Sequence, residues 1–170
     1  MTESCALSGS CDLVVGRWGA RFMGRRFPCA VGRGGIGVKA REGDGVTPAG
    51  LHRIEAVLRR AGRGRWRPGA VIGPRDGWSD DPGDPDYNRA VLRPHPHGHE
   101  AMFRADPQYD LLAVLDWNRH PVVPGRGSAI FLHVWRRPRW PTAGCIAFAA
   151  RDLAFILDRW SARSRVVVRG

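Results

Sequence analysis

A histidine ends the apolar stretch Gly127-Ser128-Ala129-Ile130-Phe131-Leu132-His133. A segment rich in Arg, Pro and Trp separates it from Pro141-Thr142-Ala143-Gly144-Cys145. A cysteine thiol is a weak nucleophile near neutrality because its unperturbed pKa is about 8.5. A nearby imidazole takes the proton, or pairs with the thiolate as imidazolium. A glycine before the sulfur permits a tight turn in which amide N–H groups face a developing oxyanion. Such chemistry is acyl transfer, with Cys145 as nucleophile, His133 as base and Gly144 in the turn. Each residue alone has a plainer reading, because a histidine in an apolar strand is more often a satisfied core residue and a lone cysteine more often inert packing. The order strand, His, Arg-rich loop, Thr-Ala-Gly-Cys, short strand and helix is more specific than either member.

These residues need positioning elements. In Ser128–Trp135, Ala129, Phe131, His133 and Trp135 share one face and Ile130, Leu132 and Val134 the other, so an apolar, central, buried strand is expected. Leu111–Trp117 reads as a second strand. Cys145-Ile146-Ala147-Phe148 leads into a helix whose Leu153, Ile156, Leu157 and Trp160 fall at i, i+3, i+4 and i+7. Val166-Val167-Val168 reads as a closing strand. Earlier, Leu13-Val14-Val15, Trp18–Met23, Cys29-Ala30-Val31 and Ile36–Val38 read as short strands between glycine turns. Leu51–Ala61 fits either a helix or a strand. Residues 73–98, with Asp81-Pro82 and Asp84-Pro85, read as an irregular excursion. Residues 1–12 are expected to be a flexible tail and 13–170 a single domain.

At 170 residues, with 43% hydrophobic and 25% charged residues, the chain suits one soluble globular domain. The net charge of +11 is carried almost wholly by arginine, since Lys39 is the only lysine. Arginine's planar fork favours carboxylate and phosphate partners, either a nucleic acid or an acidic wall polymer. No stretch is long and apolar enough to span a membrane, and the N-terminus shows no export signal. Cys5 and Cys11 sit in a Ser/Gly-rich segment and read as incidental thiols without the spacing of a zinc site.

Other constellations are weaker. Gly32-Arg33-Gly34-Gly35-Ile36-Gly37 lacks the Gly-Lys-Ser/Thr ending of a phosphate loop and reads as a hairpin. His95, His97 and His99 alternate with prolines and a glycine, so an extended solvated loop is preferred to a metal site. Arg136, Arg137 and Arg139, with Trp135 and Trp140 among them, suit either nucleic acid or a substrate carboxylate beside the thiol. Their place between His133 and Cys145 favours the substrate.

Taken together, His133 and Thr142-Ala143-Gly144-Cys145-Ile146 resemble the catalytic domain of the L,D-transpeptidases, bacterial cysteine enzymes that cross-link peptidoglycan. Thr47-Pro48-Ala49-Gly50 looks like that family's upstream Thr-Pro-x-Gly element. Gly35-Ile36, Lys39, Glu42-Gly43-Asp44-Gly45, Tyr87-Asn88, Asn118 and Gly127–His133 resemble a branch with an extended domain. The resemblance spans roughly residues 30–160. It departs at Val134, where a glycine is usual, at Ala143, where many members place a second histidine whose carbonyl orients the catalytic imidazole, and at Ala147, where an arginine is common.

The resemblance implies a mainly β fold, a curved sheet or β-sandwich with one or two short helices. It implies a Cys145 thioester with a stem tetrapeptide, His133 as base, and oxyanion N–H groups at Gly144 and Cys145. Thr142, Ala143, Arg136, Arg137, Arg139 and Asn118 are the expected substrate contacts, with Arg136, Arg137 or Arg139 replacing the arginine missing at Ala147. No metal or organic cofactor is expected. The implied partners are peptidoglycan stem peptides rather than nucleic acid. The implied place is the periplasm or cell wall, against which stands the lack of an export signal, leaving a cytoplasmic location open. An L,D-carboxypeptidase using water, another cell-wall thiol hydrolase, and a non-catalytic wall- or nucleic-acid-binding module are the alternatives. Papain-like hydrolases place Cys before His, the reverse of the order here.

Overall fold

Alternation along Phe131–Val134 divides the interior into two cores. In this computed structural model, which describes residues 11–66 and 69–170, Leu132 and Val134 point into one apolar cluster and Phe131 into another. The strand is central in a six-stranded sheet ordered Cys29–Ala30, Ile146–Phe148, Phe131–Val134, Leu111–Leu115, Ile54–Arg59, Ala70–Val71. Both faces are covered, which is why the sequence there is apolar without a break.

The larger core joins this sheet to a five-stranded sheet ordered Arg25–Phe27, Gly19–Phe22, Leu13–Gly16, Val166–Val168, Gly50–His52. Leu13, Val15, Phe22 and Val166 from one sheet meet Leu111, Leu132, Ile146 and Phe148 from the other. The helix Ala150–Asp158 adds Leu153, Ile156 and Leu157 to the same core. Full burial of each such side chain contributes on the order of 2 kcal/mol. Trp160, just beyond the helix, stacks on Phe22 with ring centroids 5.8 Å apart. The fold is therefore mainly β, as expected, with one α-helix and one 3-10 turn, Pro107–Tyr109, among the described residues.

Several expectations need correction. Leu51–Ala61 takes the strand alternative, as Gly50–His52 and Ile54–Arg59. The excursion over 73–98 is more regular than its prolines suggest. Asp76–Ser79 and Ala90–Leu92 join His99–Ala101 in a three-stranded sheet that packs Trp78 and Met102 into the smaller core. Asp-Pro pairs fall between these strands, where turns are needed. The strand expected from Ser128 begins at Phe131, because Ala129 takes a left-handed conformation with φ 51°. The glycine cluster forms no hairpin: Ile36–Gly37 pairs in parallel with Thr47–Pro48. His99 lies in a strand, and His95 Nε2 sits 2.6 Å from Asp84 Oδ2. Cys11 is disulfide-bonded rather than a free thiol. Asp12, expected in the tail, accepts a bidentate contact from the Arg165 guanidinium. Cys5 and the rest of that tail, residues 1–10, lie outside the described residues.

Candidate active site

The Thr142–Cys145 turn is built by side chains that the sequence places far apart. The Thr47 hydroxyl is fully buried; it donates to Gly144 O at 2.9 Å and accepts from Gly32 N–H at 2.8 Å. Within the turn, Thr142 Oγ1 donates to Cys145 O at 2.6 Å and accepts from Gly144 N–H at 3.1 Å. Gly144 has φ 144°, and a Cβ there would meet Val46 O at 3.0 Å and Ile130 Cδ1 at 3.3 Å. Both the backbone conformation and the space demand glycine.

Parallel pairing sets Leu132 against Ile146 and His133 against Ala147. Cys145, two residues before Ala147, therefore presents its side chain on the face of the sheet that carries His133. Ala147 is fully buried directly beside His133, at the position where the resemblance leads one to expect an arginine. Cys145 Sγ donates to Ala129 O at 3.1 Å and accepts from Phe131 N–H at 3.4 Å. The left-handed turn at Ala129 aims that carbonyl at the thiol. Asn88 holds the turn in place: its Oδ1 accepts from Ala129 N–H and from Trp78 Nε1, and its Nδ2 donates to Trp117 O and Asn118 O.

His133 Nδ1 lies 2.8 Å from Val134 O. A carbonyl only accepts, so Nδ1 carries the proton and Nε2 keeps a lone pair. The orienting carbonyl is thus that of Val134, not that of Ala143. Edge-on contact with the Tyr109 ring, centroids 5.7 Å apart, fixes the imidazole plane.

His133 and Cys145 line one cavity of about 270 Å³ together with Thr142, Ala143 and Gly144. Arg136, Arg137, Arg139 and Asn118 do not reach it. The 135–141 loop is tied to the sheet edge through Thr142 N–H to Val31 O and Arg33 N–H to Thr142 O, and its arginines fan outward. Arg136 is exposed, Arg137 lies over Trp140, and Arg139 lines separate surface clefts beside Trp18. Asn118 closes its own loop, donating to Val123 O and Gly127 O and accepting from Val123 N–H.

Other residues complete the cavity: Lys39, Glu42, Asp80, Glu100, Arg104, Tyr109 and Ser128. Lys39 Nζ donates to Asp44 Oδ1 at 2.6 Å. A Cβ on Gly127 would meet Lys39 Cε at 2.2 Å, so the side chain runs against bare backbone in a passage suited to a slim ammonium rather than a guanidinium. Being the only lysine among so many arginines was the sequence signal for this residue. The convergence of Asp80, Glu100, Arg104 and Tyr109 had no such local signal.

Burial pushes the Cys145 thiol up to about 12, against smaller opposing effects from the Phe131 N–H and the Lys39 charge. Burial also lowers His133 to about 4, partly offset by its bond to Val134. At neutral pH the resting pair is therefore thiol and neutral imidazole, not thiolate and imidazolium. Alkylation of Cys145 by iodoacetamide is expected to be slower at pH 7 than that of free cysteine, with a rate that climbs between pH 9 and about 12. A rate already at its plateau by pH 7 contradicts this electrostatic account.

A comparison with protein families adds an independent observation. A family model, the L,D-transpeptidase catalytic domain (YkuD), matches residues 20–168, nearly the whole chain. No curated protein matches the chain in sequence. With the His133–Cys145 face, the Thr47 clamp and the glycine turn set in a mainly β fold, this match establishes that the chain belongs to the L,D-transpeptidase catalytic domain family.

Proposed function

We propose that the protein is a peptidoglycan L,D-transpeptidase that forms a thioester on Cys145 with a stem tetrapeptide and transfers it to an amine. The observation that carries this reading is the shared face of adjacent parallel strands on which Cys145 and His133 open into one cavity. His133 Nε2 takes the thiol proton as Sγ attacks the carbonyl before the terminal D-alanine. Because both groups are neutral at rest, proton transfer accompanies S–C bond formation instead of preceding it. The resting S–H points to Ala129 O and turns to Nε2 when the substrate arrives.

The tetrahedral oxyanion is held by the Cys145 N–H and favoured by the nearby Lys39 charge. Gly144 is not a donor in this scheme, since its N–H is bonded to Thr142 Oγ1. Its role is to let the chain pass under Val46 O. Collapse breaks the C–N bond, the protonated His133 supplies the proton to the departing D-alanine nitrogen, and the thioester remains. An amine from a second stem then attacks; His133 accepts a proton from it and returns one to the Cys145 sulfur. Water in place of the amine gives an L,D-carboxypeptidase.

Arg104 replaces the loop arginines as the cavity's guanidinium, anchored to Asp106 by two bonds. Among the described residues no helix is long and apolar enough to cross a membrane. The substrate class assigns the protein to the cell wall or periplasm. The test is product analysis after incubation with a stem tetrapeptide and an amine acceptor. Free D-alanine and a new amide are expected; no D-alanine from folded protein overturns the proposal.

A further inference from the structure

Two surface clefts, of about 470 and 690 Å³, adjoin one another through Trp18 and Arg139, which line both. Arg21 and Arg26 line the first and Arg17 and Arg33 the second, and no aspartate or glutamate side chain lines either. None of the five arginines takes part in an ion pair among the described residues. Guanidinium forks gathered without carboxylates suit carboxylates or phosphates brought by a partner.

Three features distinguish this surface from arginine scattered over the exterior. Arg21 and Arg26 lie directly opposite each other on antiparallel strands, an arrangement in which like charges repel. Arg139 holds a left-handed φ of 59°, a conformation that favours glycine. The backbone gives no reason for an arginine there, whereas its place in the lining of both clefts does. Trp18 is 79% exposed in the turn between Leu13–Gly16 and Gly19–Phe22, with the Arg17 guanidinium 4.9 Å from its ring centre. An exposed indole beside a cation is a platform for the C–H face of a sugar in a chain that carries negative groups.

The second cleft also shares a wall with the thiol cavity. Gly32 lines the cleft and is bridged to Thr142, and a Cβ on it would meet Gly144 Cα at 3.0 Å. Arg33 Nη2 donates to Gly43 O at 3.2 Å, and Gly43 lines the thiol cavity. We infer that Trp18, Arg17, Arg21, Arg26, Arg33 and Arg139 form a docking surface for an anionic glycan strand of the wall, outside the thiol cavity. Sugar rings pack on Trp18, and carboxylates borne along the strand pair with the arginines. The inference rests on the transpeptidase reading above, which favours a wall glycan over a nucleic acid. A strand held there keeps its stems close to Cys145, so the surface acts by raising their local concentration and takes no part in the chemistry.

The test measures the Kd for soluble, uncross-linked peptidoglycan strands, using the full chain with Cys145→Ala as parent so that nothing is consumed. Adding Arg21→Gln and Arg26→Gln together is expected to weaken binding about 10-fold at low salt. Both positions are exposed and the change removes a repulsion, so this variant should melt no lower than its parent. Its deficit should shrink as salt rises from about 50 to 300 mM. Trp18→Ala, in an exposed turn, is expected to weaken binding about 5-fold. Binding within about 3-fold of the parent in both variants overturns the inference. Tighter binding to an oligothymidylate of about twelve nucleotides, lost in the same variants, overturns it too by making the surface a nucleic-acid site. Either result leaves the transpeptidase reading standing where wild type releases D-alanine from a free stem tetrapeptide. Folded wild type that releases none overturns that reading, while strand binding lost in the variants still supports the docking surface.

Discussion

Replacing Cys145 with alanine is expected to cut D-alanine release from a stem tetrapeptide by roughly 10⁴-fold or more. Among the described residues no other thiol can take over. Cys29 is buried in the larger core, and burial pushes its own thiol up to about 12. The same substitution is nearly silent structurally. Cys145 contributes weak sulfur hydrogen bonds to Ala129 O and Phe131 N–H, and their loss costs on the order of 1 kcal/mol. The turn itself is held by Thr47 and Thr142 rather than by the sulfur. Measured by D-alanine release and thermal melting, the variant should be inactive and melt within a few degrees of wild type. Cys29→Ala should do the reverse, retaining activity while losing stability through a cavity in the larger core. Substantial activity in Cys145→Ala would assign the chemistry elsewhere.

His133→Gln is expected to lower turnover by roughly 10²–10⁴-fold, the range for a lost general base. The substitution also has a stability signature. Burial holds His133 at about 4, below its ordinary 6.5, so the unfolded chain binds the proton more readily than the native one. Stability due to the neutral ring is fully present above pH 6.5 and is lost as pH falls toward 4. The slope approaches about 1.4 kcal/mol per pH unit, a total on the order of 3 kcal/mol. Asp44 and Asp84, both held below the usual carboxylate range, contribute mainly at lower pH. Urea midpoints at pH 7.5 and 4.5 should therefore drop further in wild type than in His133→Gln. Equal drops would mean that His133 is not the buried neutral ring described here.

The candidate pair was legible because its determinants are local. Two-residue alternation along Phe131–Val134 and a glycine before Cys145 are visible without any tertiary information, and the helix Ala150–Asp158 announces itself by its apolar spacing. Leu51–Ala61 was ambiguous for the opposite reason: Ile54, Val57 and Leu58 satisfy either period, and pairing with Leu111–Leu115 decides it. The three-stranded sheet hid behind its prolines, since Asp81-Pro82 and Asp84-Pro85 mark turns and conceal the short strands on either side.

Site chemistry was less legible wherever it depends on convergence. Thr47 and Tyr87-Asn88 stood out by resemblance, but their roles in clamping Gly144 and aiming the Ala129 carbonyl are long-range hydrogen bonds. Glu100 and Tyr109 reach the thiol cavity from the strand His99–Ala101 and from the turn before Leu111, across a register that no local pattern encodes. The arginines of the 135–141 loop misled because closeness in sequence to both His133 and Cys145 is not closeness in space. A loop fastened at the sheet edge turns its side chains outward. Asn118 misled in the same way, being a loop fastener whose polar atoms are already engaged.

The central claim is that Cys145 becomes acylated with loss of D-alanine. Intact mass of the protein after brief mixing with a stem tetrapeptide, followed by peptide mapping, tests it most directly. The account predicts one added acyl group, equal to the tetrapeptide less its terminal D-alanine, on the peptide containing Cys145. An unmodified Cys145 in protein shown to be folded, or an adduct confined to another residue, would contradict it.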